Sequence, residues 1–288
     1  MDTAELLKKI RKIEIKTRGL SRQLFSGEYH SAFKGRGMSF SEVRAYNFGD
    51  DVRSIDWNVT ARIGIPHVKV FEEERELTVM LLVDVSQSSF FGTRNQLKQG
   101  VFTEISAVLA FSAIQNNDKV GVIFFSDQIE MFIPPKKGKQ HILRIIRELI
   151  DFHPKGKGTD LSQALEYFNN LVKKRSICFI LSDFMTGAYE RALQVVSKKH
   201  DLIGVHITDP AEQQLPQVGL LKARDPETGQ LEWVDTNARH IRDLYASRHA
   251  EALETFRNTF ARSGVDTIVL GVNDDYVKAL LSFFRKRR

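Results

Sequence analysis

One short apolar run constrains the fold of this chain more than any other feature of its sequence. Residues 77–83 read Leu-Thr-Val-Met-Leu-Leu-Val, a nearly continuous apolar run. Such a run is typical of a strand that is buried on both faces of a parallel sheet. It ends in oxygen-bearing side chains, Asp84, Ser86 and Ser88, spaced two residues apart. Because ligands of open α/β sheets collect just past the carboxyl ends of central strands, the sequence predicts a site here.

The three oxygen-bearing residues suit a hard divalent cation. Mg²⁺ prefers oxygen ligands in near-octahedral geometry and keeps several of its waters. A carboxylate followed by two hydroxyl groups on a turn supplies one side of such a site. The alternative is structural: Asp84 caps the following helix and the serines lie in the turn. The choice between these two interpretations depends on whether other segments of the chain supply further oxygen ligands.

Short apolar runs alternate with helical segments along residues 76–288. The predicted strands cover residues 77–84, 119–126, 177–181, 202–207 and 267–272. The predicted helices cover residues 95–116, 139–151, 161–174, 189–199, 239–263 and 276–284. This alternation predicts an α/β fold with a doubly wound, mostly parallel sheet. A further run at 129–133, after a short Ser-Asp turn, predicts one antiparallel edge strand.

A β-hairpin interrupts the alternation. Residues 225–229 read Asp-Pro-Glu-Thr-Gly, a typical turn between two short strands. We therefore predict a hairpin insertion at about 210–237 within the main domain, which covers residues 76–288.

Residues 1–75 are predicted to form a helix over about 3–24 and an Arg/Asp-rich extension packed on the main domain. The extension is charged and contains glycines and a tryptophan, unlike a flexible linker. We interpret it as an ion-paired structural clamp or as a partner-binding surface. The candidate residues are Arg44, Asp50, Asp51, Arg53, Asp56, Trp57 and Arg62.

Composition narrows the class of protein. The chain has 288 residues, of which 42% are hydrophobic and 27% charged, which are ordinary values for a globular protein. Its single cysteine, Cys178, lies in an apolar run and excludes an intrachain disulfide, which fits a reducing compartment. The N-terminus has no signal-peptide pattern, and no apolar run approaches the roughly eighteen residues of a membrane span. We therefore expect a soluble, cytoplasmic protein.

Two further oxygen ligands occupy equivalent places in the alternation. Thr159 lies in a loop that opens a helix, and Asp183 follows the buried strand 177–181. Strand ends and helix starts share one edge of a parallel sheet, so these residues can converge with the Asp84 turn. Gly156 and Gly158 are expected to let the backbone bend close to an ion.

The pattern resembles the metal-ion-dependent adhesion site of von Willebrand factor A domains. The resemblance rests on Asp84-x-Ser86-x-Ser88, a Gly-Thr-Asp loop and a strand that ends in Ser-Asp. It implies a von Willebrand factor A-like, Rossmann-type fold and a bound Mg²⁺, Mn²⁺ or Ca²⁺. It also implies that Ser86, Ser88 and Thr159 bind the ion directly, that Asp84 and Asp183 act largely through water, and that one coordination position accepts a partner's carboxylate.

A second resemblance covers about residues 20–272. The block Gly-Arg-Gly-x-x-Phe-x-Glu-x-Arg-x-Tyr-x-x-Gly-Asp-Asp-x-Arg-x-Ile-Asp-Trp, which starts at Gly35, is similar to the bacterial family called domain of unknown function 58. Members of that family are commonly found with MoxR-type AAA+ ATPases. The resemblance implies a chaperone-like adaptor that assists maturation or assembly of client complexes. Many relatives continue with Met after the position of Ser88, where this chain has Ser89-Phe90-Phe91, a difference that leaves the ion ligands intact.

The expected function is therefore non-enzymatic, metal-dependent binding of a protein partner through its acidic side chain. No P-loop, His-Glu-x-x-His or Gly-x-Ser-x-Gly motif is present, and the eight histidines have no zinc spacing. Two alternatives stay open. A metal-dependent phosphoesterase would hydrolyse a phosphoester in a manner that requires Asp84. A basic nucleic-acid-binding module, suggested by the net charge of +6, would lose affinity steeply with salt and ignore EDTA; we expect no nucleic acid.

Overall fold

The protein is described here by a computed structural model, which covers residues 38–73, 76–90, 97–224 and 231–287. The predicted N-terminal helix over residues 3–24 lies outside these described residues.

The described chain begins with an antiparallel strand pair. Strands β1 (Met38–Ala45) and β2 (His67–Glu73) pair with each other and enclose a short helix, α1 (Trp57–Ile63). The carboxylate of Asp56 accepts hydrogen bonds from the first turn of α1, and Gly64 ends the helix in the left-handed conformation at φ 76°. This strand pair was not predicted from the sequence.

The main domain follows as alternating strands and helices. In chain order these are β3 (Thr78–Asp84), α2 (Lys98–Gln115), β4 (Lys119–Phe125), β5 (Ile129–Lys136), α3 (Lys139–Asp151), α4 (Leu161–Leu171), β6 (Ile177–Ser182), α5 (Glu190–Ser197), β7 (Asp201–Thr208), α6 (Pro210–Gln213), β8 (Leu220–Arg224), β9 (Leu231–Asp235), α7 (Arg239–Arg262), β10 (Asp266–Gly271) and α8 (Tyr276–Lys286).

Six strands form the central sheet in the order β10-β7-β6-β3-β4-β5. All neighbouring pairs are parallel except β4 with β5, which is the antiparallel pair at one edge. The strand order reverses at β3: the chain first proceeds to β4 on one side and later returns to β6 on the other. The predicted doubly wound, mostly parallel sheet is confirmed, and β8 pairs with β9 as the predicted hairpin.

Two hydrophobic clusters cover the two faces of the sheet. Alternate residues of β3 enter opposite clusters: Val79, Leu81 and Val83 face α2, α3 and α8, whereas Met80 and Leu82 face α4, α5 and α7. All five side chains are at most 1% exposed. This burial on both faces explains why the run reads as almost continuously apolar. β3 is thereby fixed in position along its whole length, and with it the turn that follows.

Among the described helices, none is both long enough and apolar enough to cross a membrane.

A candidate metal-binding site at the carboxyl edge of the sheet

The five predicted ligands lie at one edge of the central sheet. Asp84 is the last residue of β3, at the point where the strand order reverses, and Asp183 directly follows the neighbouring strand β6. Crevices at such reversal points are where open α/β sheets bind ligands. The topology therefore places the two carboxylates side by side on adjacent parallel strands.

Asp84 is fixed by hydrogen bonds to both of its carboxylate oxygens. The Ser86 backbone N–H donates to Oδ1 at 2.9 Å, and the Ser182 hydroxyl donates to Oδ2 at 2.6 Å. The Ser89 hydroxyl donates to the Asp84 carbonyl at 3.0 Å. Since Asp84 is 1% exposed, these bonds hold its carboxylate in one orientation.

The two serines of the motif are buried and adjacent. The Ser86 and Ser88 hydroxyl oxygens lie 3.0 Å apart, with Ser88 in a short 3₁₀ turn over Gln87–Phe90. The Gln87 backbone N–H, between the two serines, donates to the Lys157 carbonyl at 3.3 Å. This bond joins the serine turn to the loop that carries Thr159.

Thr159 carries a buried hydroxyl that lacks a partner. Its carbonyl accepts a 2.7 Å hydrogen bond from the Thr186 hydroxyl, which places it beside the turn that carries Asp183. Its own Oγ1 has no hydrogen-bond partner among the described residues. A buried polar atom without a partner is costly in a folded protein, and a bound ion or water would provide the missing partner.

The Thr159 loop is anchored by a carboxylate from the antiparallel edge strand. Glu130 accepts hydrogen bonds from the Lys155 backbone N–H at 3.0 Å, the Gly156 N–H at 2.7 Å and the Ser126 hydroxyl at 2.7 Å. Burial opposes ionisation of Glu130, but these donors outweigh it and lower its pKa.

The role expected of the loop glycines needs correction. Neither Gly156 nor Gly158 has a positive φ, so neither is required by a left-handed bend. A Cβ on Gly156 would lie 1.9 Å from Asp127 Oδ1 and 2.2 Å from Ser126 Oγ, whereas one on Gly158 would meet Asp127 Cβ at 3.7 Å. Gly156 is therefore required by the close packing of the loop on the β4–β5 turn.

Asp183 forms a buried ion pair. The Lys98 ammonium, on the first turn of α2, donates to Asp183 Oδ2 at 2.8 Å and also contacts Glu212 Oε1 on α6. The Lys98 side chain is 0% exposed and that of Asp183 is 3% exposed. The Met185 backbone N–H donates to Asp183 Oδ1 at 3.1 Å. Both oxygens of Asp183 thus have donors within the protein.

The two carboxyl groups have opposite pKa shifts. Burial, followed by the negative charge of Asp183, raises the pKa of Asp84 to about 6. Burial opposes ionisation of Asp183 too, but the Lys98 ammonium and hydrogen bonds outweigh it and lower its pKa. Burial lowers and the two carboxylates raise the pKa of Lys98, with a net rise, so the lysine is charged.

The residues at this edge fit a hard divalent cation. Two carboxylates and three hydroxyl groups supply oxygen ligands only, which is the preference of Mg²⁺, Mn²⁺ and Ca²⁺. In the part of the chain that the structure describes, no cluster of three His, Cys, Asp or Glu side chains is arranged to hold a metal. The hydroxyl groups, and above all the unpartnered Thr159 Oγ1, therefore distinguish this site from a carboxylate or histidine cluster.

The Arg/Asp-rich candidates are arranged around the β1–β2 unit. Arg44 and Asp50 form a bidentate pair, with nitrogen–oxygen distances of 2.7 and 2.8 Å. Asp56 pairs with Lys69 at 3.5 Å and caps α1, while Asp51 accepts from the Arg53 backbone N–H.

Three further candidates of this unit are neither buried nor ion-paired with another described residue. Trp57 is 67% exposed. Among the described ion pairs, none involves Arg53 or Arg62. Within the predicted set, the described residues thus form one ion pair, Arg44 with Asp50. Both residues of this pair belong to the β1–β2 unit.

Several residues that support the site were not predicted from the sequence, namely Ser182, Lys98, Glu212 and Glu130. One signal was available for Lys98, because it lies three, four and seven residues before the buried Val101, Phe102 and Ile105 of α2. A lysine on the apolar stripe of a helix is a candidate for a buried ion pair.

Two mycobacterial proteins are similar to this chain in sequence. The uncharacterized protein Rv1480 of Mycobacterium tuberculosis is 26% identical over 291 residues, which cover 100% of this chain and 92% of Rv1480. A protein of Mycobacterium avium, MAV169, is 23% identical over 159 residues, or 54% of this chain and 94% of MAV169.

A solved structure has a similar fold. An aerotolerance-related membrane protein from Bacteroides fragilis superposes with a TM-score of 0.50 at 15% identity, covering 73% of this chain and 99% of that one. Residues 42–270, well over half of the chain, match the family described as protein of unknown function DUF58. The chain belongs to the DUF58 family.

Proposed function

We propose that this protein is a non-enzymatic, metal-dependent protein-binding module. Ser86, Ser88 and Thr159 would hold a divalent cation directly, and Asp84 and Asp183 would act largely through its water ligands. The observation that carries the proposal is the buried Thr159 hydroxyl, which lacks a partner among the described residues. Its loop is hydrogen-bonded to both aspartate-bearing turns, through the Lys157 and Thr159 carbonyls. An ion at this edge would provide that partner.

The bound ion would accept a carboxylate from a partner protein. Hard cations of this class take carboxylates as ligands, and open α/β sheets bind their ligands at this edge. Met185, two residues after Asp183, is 56% exposed and offers an apolar contact beside the site. We infer an acidic side chain framed by apolar surface on the partner.

The hydrogen-bond donors around Asp84 and Asp183 favour a binding function over a catalytic one. Asp84 is held by Ser182 and Ser86, and Asp183 by Lys98 and Met185, so both groups are committed to fixed donors. A general base must be within hydrogen-bond reach of the proton that it removes and ready to accept it. The carboxylates of this site are better placed to orient an ion than to move protons.

The partner we propose is a MoxR-type AAA+ ATPase, with this protein as an adaptor in the maturation or assembly of a client complex. The support is the DUF58 membership together with a site suited to an acidic ligand. The ion would be Mg²⁺, with Mn²⁺ and Ca²⁺ as alternatives of the same ligand class.

Calorimetric titration with Mg²⁺ tests the metal site. Thr159→Val removes the unpartnered hydroxyl at nearly constant volume. Thr103→Val is the matched control, since Thr103 is also buried and its hydroxyl donates to the Gln99 carbonyl within α2. We expect saturable binding in the wild type and in Thr103→Val, and at least a tenfold loss of affinity, about 1.4 kcal/mol, in Thr159→Val.

Two results would contradict the proposal. Equal Mg²⁺ affinity in Thr159→Val and the wild type would remove the threonine from the site. Steady hydrolysis of a generic phosphoester such as p-nitrophenyl phosphate, abolished by Asp84→Ala, would show a phosphoesterase instead.

A further inference from the structure

We infer that Lys98 is a tethered cation that weakens divalent-ion binding at the neighbouring site, so that the ion is held tightly only when a partner's carboxylate joins it. This inference rests on the proposed function and concerns the electrostatic control of the same site.

The structure places a positive charge, the Lys98 ammonium, in contact with one of the candidate ligands, Asp183. The Lys98 ammonium lies 2.8 Å from Asp183 Oδ2, with its side chain 0% exposed. Asp183 is the carboxylate that a divalent ion would use from the β6 side. An incoming cation must therefore share this carboxylate with an ammonium group that cannot move into solvent.

The second carboxylate of the ion pair follows a strand, β7, that is farther from β3 than β6 is. Glu212 belongs to α6, which follows β7, and its other oxygen accepts from the Asp209 backbone N–H at 2.9 Å. Asp183, Lys98 and Glu212 thus form a charge row: the ammonium contacts the candidate ligand Asp183 directly, and the compensating Glu212 follows the strand on the side of β6 away from β3. An ion held by Asp183 would be nearer to the ammonium than to Glu212, so repulsion from the ammonium would outweigh attraction to that carboxylate.

Burial gives this row its strength. Charges inside a protein interact more strongly than charges in water, and counterions do not screen them fully. A surface lysine at the same separation would have little effect on the affinity of the site. The charge row instead makes the free energy of ion binding less favourable. A partner's carboxylate, bound at the remaining coordination position, offsets this effect because it adds a negative charge.

Two variants of the row shift Mg²⁺ affinity in opposite directions. Glu212→Gln removes the distal negative charge and leaves the ammonium, so we expect about threefold weaker binding. The double variant Lys98→Met with Glu212→Gln removes both of these charges and leaves Asp183 without its ammonium partner. The carboxylate is then available to the ion alone, so we expect about tenfold tighter binding. Opposite shifts separate electrostatic control from general damage, because loss of structure would weaken binding in both variants.

The titrations are made on the full chain with MgCl₂ alone at about pH 8, well above the usual range of a carboxyl group. Tighter binding in the double variant supports the inference, whether or not the wild type binds the ion measurably. If the wild type binds Mg²⁺ and the double variant binds it with equal or lower affinity, the inference is overturned while the metal site is retained. Absence of Mg²⁺ binding in every variant would overturn the metal site and the inference together.

Discussion

The Ser182 hydroxyl donates a 2.6 Å hydrogen bond to Asp84 Oδ2, across two neighbouring parallel strands and between residues 98 positions apart in the sequence. Both residues end their strands and both are buried, at 0% and 1% exposure. The same hydroxyl accepts from the Phe184 backbone N–H at 2.9 Å. Ser182 therefore couples the orientation of the Asp84 carboxylate to the turn that carries Asp183.

Removing this hydroxyl should weaken both the fold and the site. Ser182→Ala leaves Asp84 without one donor, and a hydrogen bond to a charged group contributes about 1.5–3 kcal/mol to stability. We expect a loss of that size in urea unfolding, together with weaker Mg²⁺ binding. Ser112→Ala is the control, since Ser112 is also 0% exposed but donates within α2 to the Val108 carbonyl. Equal Mg²⁺ affinity in the two variants would contradict the role assigned to Ser182.

Gly156→Ala should displace the loop that carries Thr159. The added Cβ would overlap Asp127 Oδ1 and Ser126 Oγ, at 1.9 and 2.2 Å. Overpacking of this kind costs about 1–3 kcal/mol, and the loop shift should also reduce Mg²⁺ affinity.

Gly158→Ala is the matched control for that variant. Its Cβ would make an ordinary 3.7 Å contact with Asp127, so we expect little change in stability or affinity. Thermal unfolding and Mg²⁺ titration of the pair provide the comparison. A larger effect for Gly158→Ala than for Gly156→Ala would show that the loop is not packed as described.

Asp118, at the opposite edge of the sheet, should make stability depend on pH. Its Oδ1 accepts from the Leu77 backbone N–H at 2.9 Å, and burial raises its pKa from the ordinary 3.8 to about 7. As pH rises between these values the unfolded chain loses the Asp118 proton while the folded chain retains it. The stability that this group contributes below pH 3.8 is therefore lost progressively up to about pH 7.

Asp118→Asn removes this dependence while keeping an acceptor for Leu77. We expect the variant to gain stability relative to the wild type as pH rises from about 4 to about 7, as measured by urea unfolding at several pH values. Asp243→Asn, an exposed carboxylate on α7, should follow the wild type. A difference between Asp118→Asn and the wild type that is constant with pH would contradict the raised pKa.

Variants of Trp57 and Phe48 distinguish a structural clamp from a partner-binding surface in the β1–β2 unit. Trp57 is 67% exposed and Phe48 is fully exposed, so truncation of either to alanine should change stability by less than about 0.5 kcal/mol. Reduced capture of a partner at unchanged stability would identify a binding surface. A clear drop in the unfolding midpoint would instead identify these side chains as part of a clamp.

The central architecture could be predicted because it depends on local periodicity. β3 and α3 lie at or within one residue of their predicted bounds, since strand burial and helix amphipathicity leave direct patterns in the sequence. The candidate ligands could be placed at one edge because strand ends in a parallel sheet share an edge. Both predictions needed only the order of elements along the chain.

The supporting residues could not be predicted, because their partners are distant in sequence. Lys98 and Asp183 are 85 positions apart, and Glu130 reaches a loop 26 residues away. Nothing local distinguishes Glu130 from a solvated surface carboxylate. The β1–β2 pair was missed for another reason: its charged and polar residues obscure the alternation that buries Val68 beside the exposed Lys69.

The most direct test of metal-bridged recognition is the affinity of this protein for a MoxR-type ATPase from the same organism, measured in Mg²⁺ and in EDTA, with Thr159→Val and Thr103→Val alongside. We predict binding in Mg²⁺ by the wild type and by Thr103→Val, and its loss in EDTA and in Thr159→Val. Binding that persists unchanged in EDTA and in Thr159→Val would contradict the account.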